Sequence, residues 1–329
     1  MTAGAELPRE PGPDGPRAPG VRLPGPPQAW RPRPYQQLLR GPTFRWWRPL
    51  LSVAVATGGT ALVLVVVAGT GAVLQLVDRP GDGAAQRGAD PWLAEPGGFL
   101  LTNLSLAALI PVVSVATWAG FGWRPRWVSS VAPGLRWTWL LRCYGAAILV
   151  LAVLSGGLQL VVGYRWTPER NWGLLVLITV FTTPLQAAGE EYVFRGWIPQ
   201  LIGSAIPDAR LGAVVGGGLS STLFAFAHGQ QDVWLFADRF LFGALACWLV
   251  WRTGGLEAGM ALHGANNIVA LLATIGAGEL SDTLGATSAT PGTTVFDALT
   301  LLATVALIVR LARQQHLVRL FTPPAWALP

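Results

Sequence analysis

The sequence predicts an all-α fold: a polytopic membrane helix bundle of about eight transmembrane helices. Three observations carry that expectation. Hydrophobic residues make up 52% of the 329 and charged residues only 12%, with a mean hydropathy of +0.45, a balance wrong for a soluble domain. Eight apolar stretches fall near the roughly 17–25 residues that cross a bilayer as a helix. The 40 Gly and 16 Trp suit close helix packing and interfacial anchoring, and residues such as Trp47, Trp123, Trp137, Trp172 and Trp251 fall at or near the ends of stretches.

Taken in order, residues 1–40 are rich in Pro, Gly and Arg and lack apolar periodicity, which predicts a disordered cytosolic tail. The first long apolar run begins near Leu50, so the tail holds no signal-peptide core and the run reads as a signal-anchor span. A membrane helical domain is expected over 41–320, with spans at 49–77, 98–121, 143–163, 172–188, 211–228, 235–251, 256–276 and 294–312. The loop Asp78–Gly97 carries Asp78, Asp82, Asp90 and Glu95 and suits an outer face. Gly278–Gly292 is rich in Thr, Ser and Gly and reads as an outer loop. Residues 321–329 form a short tail, and His316 before it reads as solvated.

Charge fixes the expected topology. All 23 basic residues are Arg and Lys is absent, which suggests a bacterial genome of high GC content. With the N-terminus inside, only Arg79, Arg87, Arg165, Arg170 and Arg239 fall outside, so the positive-inside rule gives a multi-pass cell-membrane protein with both termini cytoplasmic. The sequence pI of about 10.3 does not imply nucleic-acid binding, because the arginines flank spans and suit anionic lipid headgroups of the bilayer. Cys143 and Cys247 lie in apolar runs and read as small core residues.

Against this background Glu190-Glu191-Tyr192-Val193-Phe194-Arg195 stands out, because a charge within a membrane helix is costly and usually marks a site. On a helix Glu191 and Arg195 are four apart and can pair, leaving Glu190 free to take a proton from water. Phe224 and His228 lie one turn apart at the end of the fifth span. His263 and Asn267 share a face of the seventh. Glu190, His228, His263 and Asn267 together supply a base, two imidazoles and an amide donor, a set suited to amide hydrolysis. In one reading Glu190, assisted by His228, deprotonates a water while His263 and Asn267 donate to the oxyanion. In the other, Glu190, His228 and His263 hold one zinc ion. The residues leave both open.

The patterns E-E-x-x-x-R (Glu190, Glu191, Arg195), F-x-x-x-H (Phe224, His228) and H-x-x-x-N (His263, Asn267), in that order on successive membrane helices, resemble the CPBP group. These are the CAAX-prenyl-protease-like, bacteriocin-processing and lysostaphin-resistance-like intramembrane proteases. All three motifs are intact, and the resemblance covers about 170–275, the expected catalytic core. It implies an intramembrane endopeptidase acting on membrane-associated peptides or proteins. Glu190 is then the general base, Glu191 and Arg195 organise the site, His263 and Asn267 form the oxyanion hole, and Phe224 lies at the substrate. The family has been described both as metal-dependent and as glutamate-dependent, and in a bacterial source a prenylated CAAX substrate is not expected.

One geometric conflict follows from the spans. At 1.5 Å per residue Glu190 lies about 27 Å from Trp172, and His228 about 26 Å from Leu211, at opposite boundaries. They meet only if Pro184 breaks the fourth helix and the membrane segment runs on toward Leu201, or if the fifth starts near Asp208. Three rival functions remain: a rhomboid-type serine protease using Ser220 or Ser221 with His263, a transporter or proton relay, and a non-catalytic scaffold in which Glu190 is dispensable.

Overall fold

In a computed structural model the described residues are 32–41, 44–77, 91–132 and 134–322. The expectations for residues 1–31, the acidic loop 78–90 and the end 323–329 lie outside them. The elements are β1 (Arg33–Pro34), α1 (Arg48–Val77), α2 (Pro96–Ala107), α3 (Leu109–Phe121), the short α4 (Arg126–Ser129), α5 (Trp137–Val162), α6 (Trp172–Glu191), a π-helical turn (Tyr192–Trp197), α7 (Ile198–Ala205), α8 (Ala209–Ala227), α9 (Val233–Thr253), α10 (Glu257–Ala277), α11 (Leu280–Leu284), α12 (Pro291–Gln314) and β2 (Leu320–Phe321). Eight helical segments among the described residues are long and apolar enough to cross a membrane. The chain is an all-α polytopic bundle.

Each expected span is present, with differences that have physical causes. The second is two helices, α2 and α3, parted at Ala108. Pro111 marks that break, because it has no N–H to offer the Ala107 carbonyl and its ring crowds that carbonyl. The fourth runs from Trp172 to Ala205, 34 residues, continuing past the charged motif through the π turn into α7. Pro184 sits inside α6 and does not end it. The proposed break is therefore corrected, while the proposed extension toward Leu201 is observed and runs on to Ala205.

That extension removes the depth conflict. After a tight turn α8 runs back along α7. A Cβ on Gly212 would touch Gly203, and one on Gly216 would touch Pro199. Ser220 Oγ donates to the Phe194 carbonyl. Each step along α8 thus matches a step back toward α6, which brings Phe224 level with Glu190 and Glu191. Glycines make the approach possible, because two backbones close in where no side chain intervenes.

α10 is the interior helix. Ala258, Ala261, Leu262 and Ala265 are fully buried, and α5, α6 and α9 pack around it. α1, by contrast, exposes apolar side chains such as Val65 at 70% and Leu62 at 64%, the surface of a helix facing lipid.

The segment 33–40 corrects the expected tail, whose described part is packed. β1 pairs antiparallel with β2, Arg33 opposite Phe321 and Pro34 opposite Leu320. Tyr35, Leu38 and Leu39 are buried. Gln37 Nε2 donates to the Ile206 carbonyl at 2.9 Å, Arg40 Nη1 to that of Ser204 at 2.9 Å, and the Tyr35 hydroxyl to that of Val128. Burial pushes the Tyr35 phenol well above the usual tyrosine range. At the same end Arg136 clasps the fully buried Glu257, Nε to Oε1 at 2.8 Å and Nη2 to Oε2 at 2.6 Å. Its Nη1 also caps the Thr253 carbonyl at 2.9 Å. This clasp ties the start of α5 to the start of α10 and the end of α9.

Candidate active site

The end of α6 delivers two adjacent carboxylates, and α10 delivers the histidine that joins them. His263 Nδ1 lies 2.9 Å from Glu191 Oε1, and its Nε2 lies 3.3 Å from Glu190 Oε2. Arg195, one turn beyond Glu191, brings Nη1 within 2.8 Å of the same Oε1. Both members of that pair are fully enclosed, whereas the Glu190 side chain keeps 13% of its surface accessible. The Arg195 guanidinium stacks 4.1 Å from the centre of the Phe224 ring and 5.4 Å from that of Phe242, a cation–π contact strengthened by exclusion of water. The wide π turn (192–197) carries Arg195, a distortion common at functional sites.

Glycine shapes the site at two points. A Cβ on Gly189 would sit 1.9 Å from the Leu106 carbonyl oxygen, so α6 crosses the end of α2 at its closest just before Glu190. A Cβ on Gly259 would sit 2.6 Å from Glu191 Oε2. Gly259→Ala is therefore expected to push that carboxylate off His263 and cost about 1–3 kcal/mol of stability by overpacking. Thermal unfolding of the purified variant in lipid nanodiscs measures this, and an unchanged melting temperature contradicts it.

Asn267 lies one turn beyond His263 and reaches α6 through an unexpected residue. Its Nδ2 donates to Gln186 Oε1 at 3.1 Å. Gln186 lies one helical turn before Glu190 on α6 and thus links that helix to an amide on α10. Its one sequence signal was its place four residues before Glu190, on the same face. Tyr144 of α5 was also missed. Its hydroxyl packs so tightly on Gly264 that a Cβ there would come within 2.1 Å.

His228 stands apart from the carboxylates. At the end of α8 its Nδ1 is 2.8 Å from the Phe224 carbonyl, so Nδ1 carries the proton and Nε2 presents a lone pair. Its ring lies edge-on to Phe224 at 4.7 Å, and the ring of His263 meets the same phenyl at 5.8 Å. Both imidazoles therefore pack against one phenyl ring. Among the described residues no hydrogen bond or ion pair joins His228 to Glu190.

The zinc reading required Glu190, His228 and His263 to converge. Among the described residues no three His, Cys, Asp or Glu side chains are placed to hold a metal ion. Both nitrogens of His263 face carboxylates, and among the described residues no hydrogen bond or ion pair brings His228 to either of them. This donor set does not fit a zinc centre. The serine reading loses its nucleophile as well: Ser220 donates to the Phe194 carbonyl and Ser221 to that of Gly217 at 2.7 Å. Both serve helix packing.

Residues 171–269 match a family model described as type II CAAX prenyl endopeptidase Rce1-like, a stretch that includes every residue of the three motifs. The uncharacterized protein YyaK of Bacillus subtilis (strain 168) is 28% identical over 97 residues. The match covers 29% of this chain and 32% of that protein. No solved structure matches.

Proposed function

From a chain whose residues 171–269 carry an Rce1-like domain, we propose that this multi-pass membrane protein is an intramembrane endopeptidase that cleaves membrane-associated peptides or proteins. The observation that carries the proposal is the bridge from Glu190 through His263 to the buried Glu191–Arg195 pair. It holds one carboxylate fixed and leaves its neighbour accessible.

In the proposed reaction Glu190 takes a proton from water, and the hydroxide oxygen bonds to the scissile carbonyl carbon. His228, its Nδ1 held by the Phe224 carbonyl, assists by orienting that water. The carbonyl oxygen becomes an oxyanion, met by an Asn267 amide N–H, while Gln186 keeps the amide oriented. His263, whose Nε2 lies 3.3 Å from Glu190 Oε2, is the second group at the oxyanion. The proton on Glu190 then passes to the departing amine as the C–N bond breaks. Glu191 and Arg195 hold His263 in place throughout. Both termini are proposed to face the cytoplasm, on the arginine distribution alone.

The test is mass-spectrometric mapping of new peptide termini in membranes expressing wild type or Glu190→Gln. Termini found only with wild type are expected, and they name the substrates. Matching profiles from two folded, inserted proteins sink the endopeptidase reading and favour a scaffold.

A further inference from the structure

We propose that a cavity between α5, α9, α10 and α12 is a subsite for a basic side chain of the substrate, an inference that rests on the endopeptidase reading. The cavity has a volume of about 810 Å³ and is lined by Asp238 and Phe242 of α9, Asn266 of α10 and Asp297 of α12, with largely apolar walls. Two carboxylates from different spans therefore face one space, near enough to repel each other. Neither is ion-paired among the described residues. Arg239, beside Asp238 in sequence, donates to Gln231 Oε1 at 2.7 Å, near enough for its charge to act on Asp238 but not in an ion-pair contact with it. Asp238 Oδ1 is fully enclosed and has no hydrogen-bond partner.

An enclosed, unpartnered carboxylate oxygen in a membrane helix is costly unless something pairs with it. The walls specify what does. An aliphatic stem suits the apolar lining and a cationic tip suits the two acids, a combination that Lys and Arg provide. Two acids without a third ligand group are not a metal site. The cavity also borders the chemistry. Asp238 lies one helical turn from Phe242, whose ring meets that of His263 at 5.0 Å, and Asn266 adjoins Asn267. A basic residue seated here falls about three or four extended residues from the cleaved bond. The rim carries Ile148 and Leu158 of α5, each 39% exposed, and the exposed Asp297 of α12, so the cavity opens to the surface between those helices.

The test uses two synthetic Leu/Ala membrane peptides differing at one position, Lys or norleucine. They bind the full-length Glu190→Gln protein, in which hydrolysis is slowed by the loss of the base, in phosphatidylcholine nanodiscs. The Lys peptide is expected to bind about tenfold tighter. That advantage should collapse on adding D238N and D297N, with D297N alone, at the exposed rim, as the variant least able to disturb folding. Equal affinity for the two peptides, or an advantage untouched by D297N, overturns the subsite. In parallel, the termini from wild type should show Lys or Arg enriched three or four residues from the cut, and D297N should erase the enrichment. Termini without such a bias, together with equal peptide binding, remove the subsite and leave the hydrolase standing. A lysine advantage without any Glu190-dependent termini does the reverse.

Discussion

Arg195→Met is expected to lower the unfolding free energy by about 3–5 kcal/mol, the range for stripping one partner from a buried ion pair. Glu191 and Arg195 are both enclosed, and the shared Oε1 also receives His263. Without the guanidinium, a carboxylate remains in an apolar interior with one neighbour to offset its charge, and Phe224 and Phe242 lose the cation between them. The companion Glu191→Gln/Arg195→Met removes both charges and is expected to recover part of the stability but none of the activity, because His263 has then lost its anchor. Thermal unfolding of the single and double variants in nanodiscs supplies the comparison. A double variant as unstable as the single one would show that the ring contacts, and not the ion pair, dominate. Arg195→Lys tests the same point from another side, since it retains charge but loses the flat guanidinium that stacks on Phe224.

The adjacent carboxylates should separate cleanly by substitution. Glu190→Gln is expected to reduce cleavage by about 10²–10⁴-fold, the contribution of a positioned base, with an unfolding temperature close to wild type. Its side chain is partly accessible, and its removal relieves a like charge beside Glu191. Glu191→Gln is expected to lose activity and stability together, because it unpairs Arg195 and unseats His263 at once. Rates on a substrate named by terminus mapping, alongside melting curves, decide this. Equal losses of stability in both variants would mean that the two carboxylates form one structural unit.

The spans were legible because lipid leaves so little choice: an apolar run of sufficient length must be a helix that satisfies its own backbone. The course of the fourth was not, because hydropathy falls at Glu190, Glu191 and Arg195 as though the membrane ended there. Their charges are balanced against one another inside the protein, which a window average cannot register. Residues 33–40 misled in the opposite direction. Pro and Arg dominate the composition around them, while Tyr35, Leu38 and Leu39, too few to raise any average, do the packing. The motif residues Glu190, Glu191, Arg195, Phe224, His263 and Asn267 were recognisable from helical spacing, and the structure gathers them. The pairing of His263 with both carboxylates depends on how α10 packs on α6, and the place of His228 on the depth of α8 against α7. Arg136 and Glu257 carried no local signal, since their contact spans 121 positions.

The pairing of β1 with β2 has a consequence for synthesis. The Tyr35 hydroxyl lies where a Cβ on Gly196, next to Arg195, would come within 3.2 Å of it, so the floor beneath the carboxylates is laid by the earliest described segment. That segment's strand partner leaves the ribosome only after α12. Contacts so distant along the chain close late and slowly. Nascent chains that have already inserted α6, α8 and α10 therefore hold both carboxylates and His263 without a finished floor, and a chain stopped short of Leu320 leaves β1 with no strand to join.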